Sequence, residues 1–152
     1  MTSALYRFGL LVVSVLLLAG ATGAETQGVG DPLAAMQGRW IWVGNIEKMG
    51  QDNACADTAT RFEVSADRRT LTYSYTLEKD GKREEKSGSY VVLYQEGDSV
   101  AMYLNNETRR LKNGDRYVWV AIFESPDRFL WRIYADASTP AQLAPYARVR
   151  CR

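Results

Sequence analysis

Ten residues, Arg69-Thr-Leu-Thr-Tyr-Ser-Tyr-Thr-Leu-Glu78, constrain this chain more than any other stretch, because large apolar side chains alternate in them with Thr or Ser. A period of two places Leu71, Tyr73, Tyr75 and Leu77 on one face of a strand, which no helix can do. The run ends at Asp80-Gly81, the pair favoured by a type I′ turn, whose two central residues both need positive φ. A two-residue loop fixes the register of the returning strand. Lys79 pairs with Lys82 and Leu71 with Tyr90, so Tyr90, Val92 and Tyr94 extend the same face.

Asn113-Gly114 marks a second hairpin of the same kind. It predicts Arg110 opposite Tyr117, Thr108 opposite Trp119 and Leu104 opposite Phe123. Glu96-Gly97-Asp98 and Ser125-Pro126-Asp127 supply turns on either side, and Phe129, Trp131 and Ile133 alternate along the next strand. Strands are expected near 38–45, 60–65, 69–78, 83–95, 99–111, 115–124, 128–135 and 145–151. After residue 37 no helical period persists over a normal helix length, and the longest connection runs from Asn45 to Ala59. Before the strands, Asp31-Pro32-Leu33-Ala34-Ala35-Met36 reads as one helical turn, with Asp31 as N-cap and Pro32 at the first helical position. Eight antiparallel strands joined mostly by short turns form an all-β, up-and-down barrel, and closing the last strand on the first removes both exposed edges. A β-sandwich is the alternative, but it favours long Greek-key connections.

Residues 1–24 have the three parts of an export signal: Arg7, the apolar run from Leu10 to Leu18, and small residues that permit cleavage after Ala21 or Ala24. The run is too short for a transmembrane helix. Leu18-Ala19-Gly20 is followed by Ala21 rather than Cys, so no lipid anchor is expected. Residues 25–30 are polar, Gly-containing and expected to be mobile, and 31–152 form one domain with a single core. The protein is therefore expected to be exported, periplasmic or secreted. In an oxidising compartment Cys55 and Cys151, the two cysteines of the chain, are expected to pair.

The charge balance, 19 Lys+Arg against 18 Asp+Glu, gives no bulk attraction for nucleic acid or acidic membranes. The chain has no histidine, which removes imidazole bases, imidazole metal ligands and Ser-His chemistry. Oxidised cysteines remove thiol catalysis as well. Glu84-Glu85 is the adjacent acidic pair, and neighbours on a strand point to opposite faces, so the two cannot flank one bond. No phosphate loop or calcium loop is found. No catalytic residue, metal site or cofactor is expected.

Gly38-x-Trp40 at the start of the first strand, the helical turn before it, the eight-strand meander, a basic residue near the last strand and a cysteine link from the barrel start to the C-terminal region together resemble the lipocalin and calycin superfamily. The resemblance covers Asp31 to Cys151 and fits a short, bacterial-type lipocalin-like domain, with neither the long C-terminal helix nor the late Thr-Asp-Tyr-like turn of vertebrate members. It implies that Trp40 packs across the closed end of the barrel, beside Gly38. A basic side chain then lies over its indole, Arg148 as the best match and Arg150 as the alternative.

An eight-stranded barrel is wide enough either to fill with side chains or to hold one small ligand. Tyr73, Tyr75, Tyr117, Trp119 and Trp131 fall on the inner face and are candidate ligand contacts, and Arg110 falls at its rim, where it is either a carboxylate clamp or a residue that snorkels to water. The leading expectation is a non-enzymatic binding protein for a small apolar or amphipathic molecule. The alternative is an interaction module with a filled barrel, an inhibitor or envelope accessory protein. It would act through loops or an outer wall at Val91, Tyr103, Val118, Val120 and Ile122, which also suits a homodimer.

Overall fold

A computed structural model of the chain describes residues 28–136, 139–140 and 146–152. Residues 1–24, expected to be an export signal, and the first part of the segment expected to be mobile lie outside them. The elements, in order, are α1 (Pro32–Met36), β1 (Gly38–Trp42), α2 (Val43–Met49), α3 (Gln51–Asp57), β2 (Thr60–Val64), β3 (Thr70–Lys79), β4 (Lys82–Glu96), β5 (Ser99–Leu104), β6 (Val118–Ser125), β7 (Arg128–Asp136), β8 (Thr139–Pro140) and β9 (Tyr146–Arg150). Each strand from β1 to β7 pairs with the next in antiparallel sense, β7 also pairs with β9, and β9 pairs with β1. Eight strands thus close an up-and-down barrel, with the two-residue β8 appended to β7.

The first hairpin has the expected register, Leu71 opposite Tyr90 and Lys79 opposite Lys82. Asp80 and Gly81 adopt φ of 54° and 71°, as a type I′ turn requires. The second hairpin differs. Gly114 has positive φ (90°) and Asn113 does not, so the loop spans three residues, closed by Leu111 N–H donating to the Asp115 carbonyl at 3.0 Å. Arg110 therefore bridges to Arg116, not to Tyr117. β5 ends at Leu104 rather than 111 and β6 begins at Val118 rather than 115. Met102, not Thr108, stands opposite Trp119. The error is an even number of residues, so every inward side chain of both strands stays inward.

Two further corrections concern local geometry. A bulge between Val92 and Tyr94 reverses the parity of β4 past that point. Tyr94 consequently faces out and is 56 % exposed, while Gln95 turns inward and accepts the Leu33 N–H at 3.3 Å. The first strand ends at Trp42 rather than 45, and α2 and α3 occupy most of the connection that follows it. Each has only seven residues, too few to display a helical period in sequence.

The lower half of the barrel is solid. α1, capped by Asp31 accepting from Ala34 N–H at 2.9 Å, pushes Leu33 and Met36 into the base. Trp40 lies fully buried above them, edge-on to Phe129 at 4.7 Å and to Phe123 at 6.0 Å, and its indole N–H donates to the Met36 carbonyl at 2.8 Å. The cation over this indole is Arg150, 4.4 Å from the ring centroid; Arg148 lies instead over Trp42. Trp40 pairs with Arg150 and Trp42 with Arg148 across β1 and β9, so each cation covers the tryptophan opposite it. Cys55 of α3 is bonded to Cys151, just past β9, which ties the helical connection to the closing strand. Val29, in the part of the N-terminal segment that is described, donates its N–H to Asp98 Oδ1 at 2.6 Å and packs on the core.

Candidate functional site

Above the Trp40 layer the barrel opens into a cavity of about 680 Å³. Its wall is built by strand alternation: Tyr90 from β4, Trp119 from β6, and Trp131 and Ile133 from β7 all point inward. Trp42 and Arg148 close one side, and Arg109, from the long loop between β5 and β6, closes the rim. The aromatic rings form a connected wall. Tyr90 stacks on Trp131 with centroids 5.4 Å apart, Trp119 meets Trp131 edge-on at 5.8 Å, and Tyr73 touches Tyr90 at 5.4 Å. Burial raises the phenol pKa of Tyr90, so it stays a neutral hydroxyl in this wall.

A second cavity, about 670 Å³, lies between the connection that holds α2 and α3 and the outer part of the β3–β4 hairpin, with Asn45, Met49, Thr58, Tyr75 and Leu77 in its wall. Trp42 and Arg148 belong to both walls, so their stack partitions the two spaces. The Arg148 Cζ sits 3.6 Å from the Trp42 ring centroid, and Nη1 donates to Thr60 Oγ1 at 2.9 Å. Arg148 is only 6 % exposed, and its Nε has no hydrogen-bond partner among the described residues. Burial pushes its pKa down to about 9, partly opposed by the interaction with Tyr90, and at neutral pH the guanidinium is still a cation.

The rim is held by an ion pair absent from the sequence expectation. Glu107 is buried, with 5 % of its side chain exposed, and accepts from Arg109 Nε at 2.8 Å and Nη2 at 2.6 Å. These bonds hold its carboxyl below the usual range against the opposing effect of burial. Arg109 in turn lies 5.4 Å from the Tyr117 centroid and 5.8 Å from that of Trp119.

Of the residues expected to contact a ligand, Trp119 and Trp131 line the barrel cavity, and Tyr73 supports it from behind Tyr90. Tyr75 lines the second cavity, and Tyr117 packs against Arg109 at the rim. Arg110 is exposed and turned to its own loop, donating to the carbonyls of Glu107 and Arg109 at 2.8 and 3.1 Å, while its neighbour Arg109 faces the cavity. Tyr90 carries its burial signal in the alternation. Arg148 was expected over Trp40 at the closed end, and nothing in its own strand signals that it lines a cavity beside Trp42 instead.

On the outer wall Tyr103, Val118, Val120 and Ile122 join Leu93, Tyr94 and Tyr134 around a groove of about 510 Å³. Val91 is exposed on the same sheet, whereas Ala101 and Val120 are buried. No helix of the described residues is long and apolar enough to cross a membrane, and no acidic or cysteine cluster among them suits a metal ion. Compared with protein-family models, with curated proteins and with solved structures, the chain finds no match.

Proposed function

We propose that this protein is a non-enzymatic, exported, short lipocalin-like protein that holds a small apolar or amphipathic molecule in the upper half of its barrel. The cavity of about 680 Å³ supports this reading, since its volume falls within the ~300 to 1,000 Å³ typical of small-molecule sites. Its wall has the matching composition, aromatic and aliphatic with few polar groups. The Cys55–Cys151 disulfide fits an oxidising destination. The chain's lack of histidine favours binding over acid–base chemistry.

A neutral apolar dye, N-phenyl-1-naphthylamine, tests the reading. Saturable energy transfer from tryptophan to the dye is expected, reduced by Trp131→Ala and by Trp119→Ala. If the wild-type protein shows no saturable signal up to the solubility limit of the dye, the barrel does not bind ligands. The outer groove at Leu93, Tyr103, Val118 and Ile122 favours the second reading, a protein-interaction module or homodimer. Sedimentation that detects a dimer broken by Leu93→Asp would support it.

A further inference from the structure

We propose that the cleft between α2 and the β3–β4 hairpin is a docking site for an extended segment of a partner protein, which adds to the free edge of β3 as a further strand. β3 pairs with β4 as far as Lys79 but with β2 only as far as Ser74, so residues 75–79 have one unpaired edge. The two-residue turn makes Lys79 and Lys82 a hydrogen-bonded pair, and such pairs alternate along an antiparallel ladder. Odd-numbered residues of β3 therefore bond to β4, and Val92 N–H donating to the Arg69 carbonyl at 2.9 Å has the same phase. Thr76 and Glu78 aim their N–H and C=O groups the other way, into the cleft, where no backbone partner meets them among the described residues.

Shape and charge select a strand as the occupant. A strand shows only alternate side chains to one face, yet the consecutive residues Tyr75, Thr76, Leu77 and Glu78 all line this cavity of about 670 Å³. The space therefore runs along the edge of β3. Across it stands α2, which buries none of its residues and leaves Met49 exposed, as are Tyr75 and Leu77. Alternate apolar side chains of an added strand would sit among these three. The opposite edge of the hairpin, on β4, carries the charged run Lys82-Arg-Glu-Glu-Lys86, which discourages pairing, whereas Tyr75, Thr76 and Leu77 favour it. Glu78 pairs with no cation among the described residues, and Arg83, opposite it on β4, is engaged by Asp57 at 3.2 Å. A Lys or Arg of the added strand opposite Glu78 completes the match. Main-chain bonds to Thr76 and Glu78 supply affinity and the alternating side chains supply selectivity, independently of any ligand in the barrel.

The probe is the peptide acetyl-Thr-Val-Lys-Val-Thr-amide, which sets its Lys opposite Glu78 and its valines on the side of Leu77, titrated into the ¹⁵N-labelled wild-type protein. Saturable shifts centred on Thr76 and Glu78, and slowed hydrogen exchange of those two amides, are expected. N-methylation of the peptide at Lys and at the second Thr removes the donors that reach β3 and should weaken binding at least ~tenfold. Replacing the peptide Lys by Glu should weaken it as well, and Glu78→Lys should reverse that preference. Thr76→Pro removes a donor from the free edge without touching the ladder to β4, so it should lower affinity by a similar factor; if that variant does not fold, the methylated peptide decides. No saturable shift up to the solubility limit, equal binding of the methylated peptide, or shifts confined to Trp119 and Trp131 overturns the proposal. Protection of the Thr76 and Glu78 amides that grows with protein concentration in the absence of peptide makes a second copy the occupant and overturns it too.

Discussion

The guanidinium of Arg150 lies 4.4 Å from the centroid of the Trp40 ring and, from the same position, donates to the carbonyls of Ala35 at 2.5 Å and Gln37 at 2.8 Å. The plug of the barrel and the strand that closes it are therefore one unit. Arg150 also pairs with Asp127 at 3.3 Å, which brings the turn between β6 and β7 into the same cluster.

Trp40→Ala should cost about 3 to 5 kcal/mol in urea unfolding, the range for truncating a buried large aromatic. Arg150→Ala should cost less, and the double variant should fall short of the sum by roughly 0.5 to 3 kcal/mol, as for residues in contact. Additive losses would show that the two side chains act separately. A Trp40→Ala loss within ~0.5 kcal/mol, typical of a surface change, would remove the plug altogether.

Gly38→Ala should destabilise by about 1 to 3 kcal/mol, measured by thermal unfolding, because two constraints coincide there. Gly38 has φ of 124°, and a Cβ at that position would meet Arg150 Nη1 at 2.8 Å. Adding Arg150→Ala relieves the second constraint but not the first. A wild-type melting temperature for Gly38→Ala would mean that the base of the barrel adapts more freely than this packing allows.

Cys55→Ser should lower stability by about 2 to 5 kcal/mol, since the bond links residues 96 apart in sequence and restricts the unfolded chain. Intact mass of protein recovered from an oxidising compartment should fall short of the reduced chain by two hydrogen atoms. Two alkylatable thiols in such material would contradict the pairing.

Glu107 should impose a pH dependence on the rim. Its folded pKa is lowered, chiefly by the hydrogen bonds from Arg109, so its contribution to stability is present above the ordinary carboxylate pKa near 4.5 and disappears as pH falls through the lower folded value. Glu107→Gln should therefore be less stable than wild type at pH 7 and converge on it in acid. A constant gap between the two unfolding midpoints from pH 7 to pH 2 would assign the loss to shape rather than to charge.

The barrel and its interior were legible in the sequence because alternation in β3 to β7 reports faces directly, and faces survive errors of register that are even in length. Leu104 was expected opposite Phe123, yet Phe123 lies beside Asp98, donating its N–H to that residue's carbonyl at 2.8 Å, while Met102 takes Trp119; Met102, Trp119 and Phe123 are inside all the same. Positions that depend on one residue more or less were not legible. Arg109 and Arg110 exchange roles because the segment after Leu104 leaves the ladder, and Tyr94 turns outward at a bulge that no residue type announces. For the cation over Trp40, the alternative, Arg150, holds rather than the preferred Arg148, for another reason. Both alternate residues of β9 point inward, and only the pairing with β1 decides which tryptophan each one covers.

Closure of β1 by β9 also sets an order of events during synthesis. β1 can pair with β2 early, but its other edge and the cation over Trp40 come from residues 146–150. At ~5 to 20 residues per second, roughly 5 to 20 seconds separate the appearance of Trp40 from that of Arg150. Through that interval the nascent chain carries an unpaired strand edge and an uncovered indole, and Cys55 has no partner. A holding chaperone would find its best target in this early, open sheet, and a premature stop before β9 would leave that target permanently displayed.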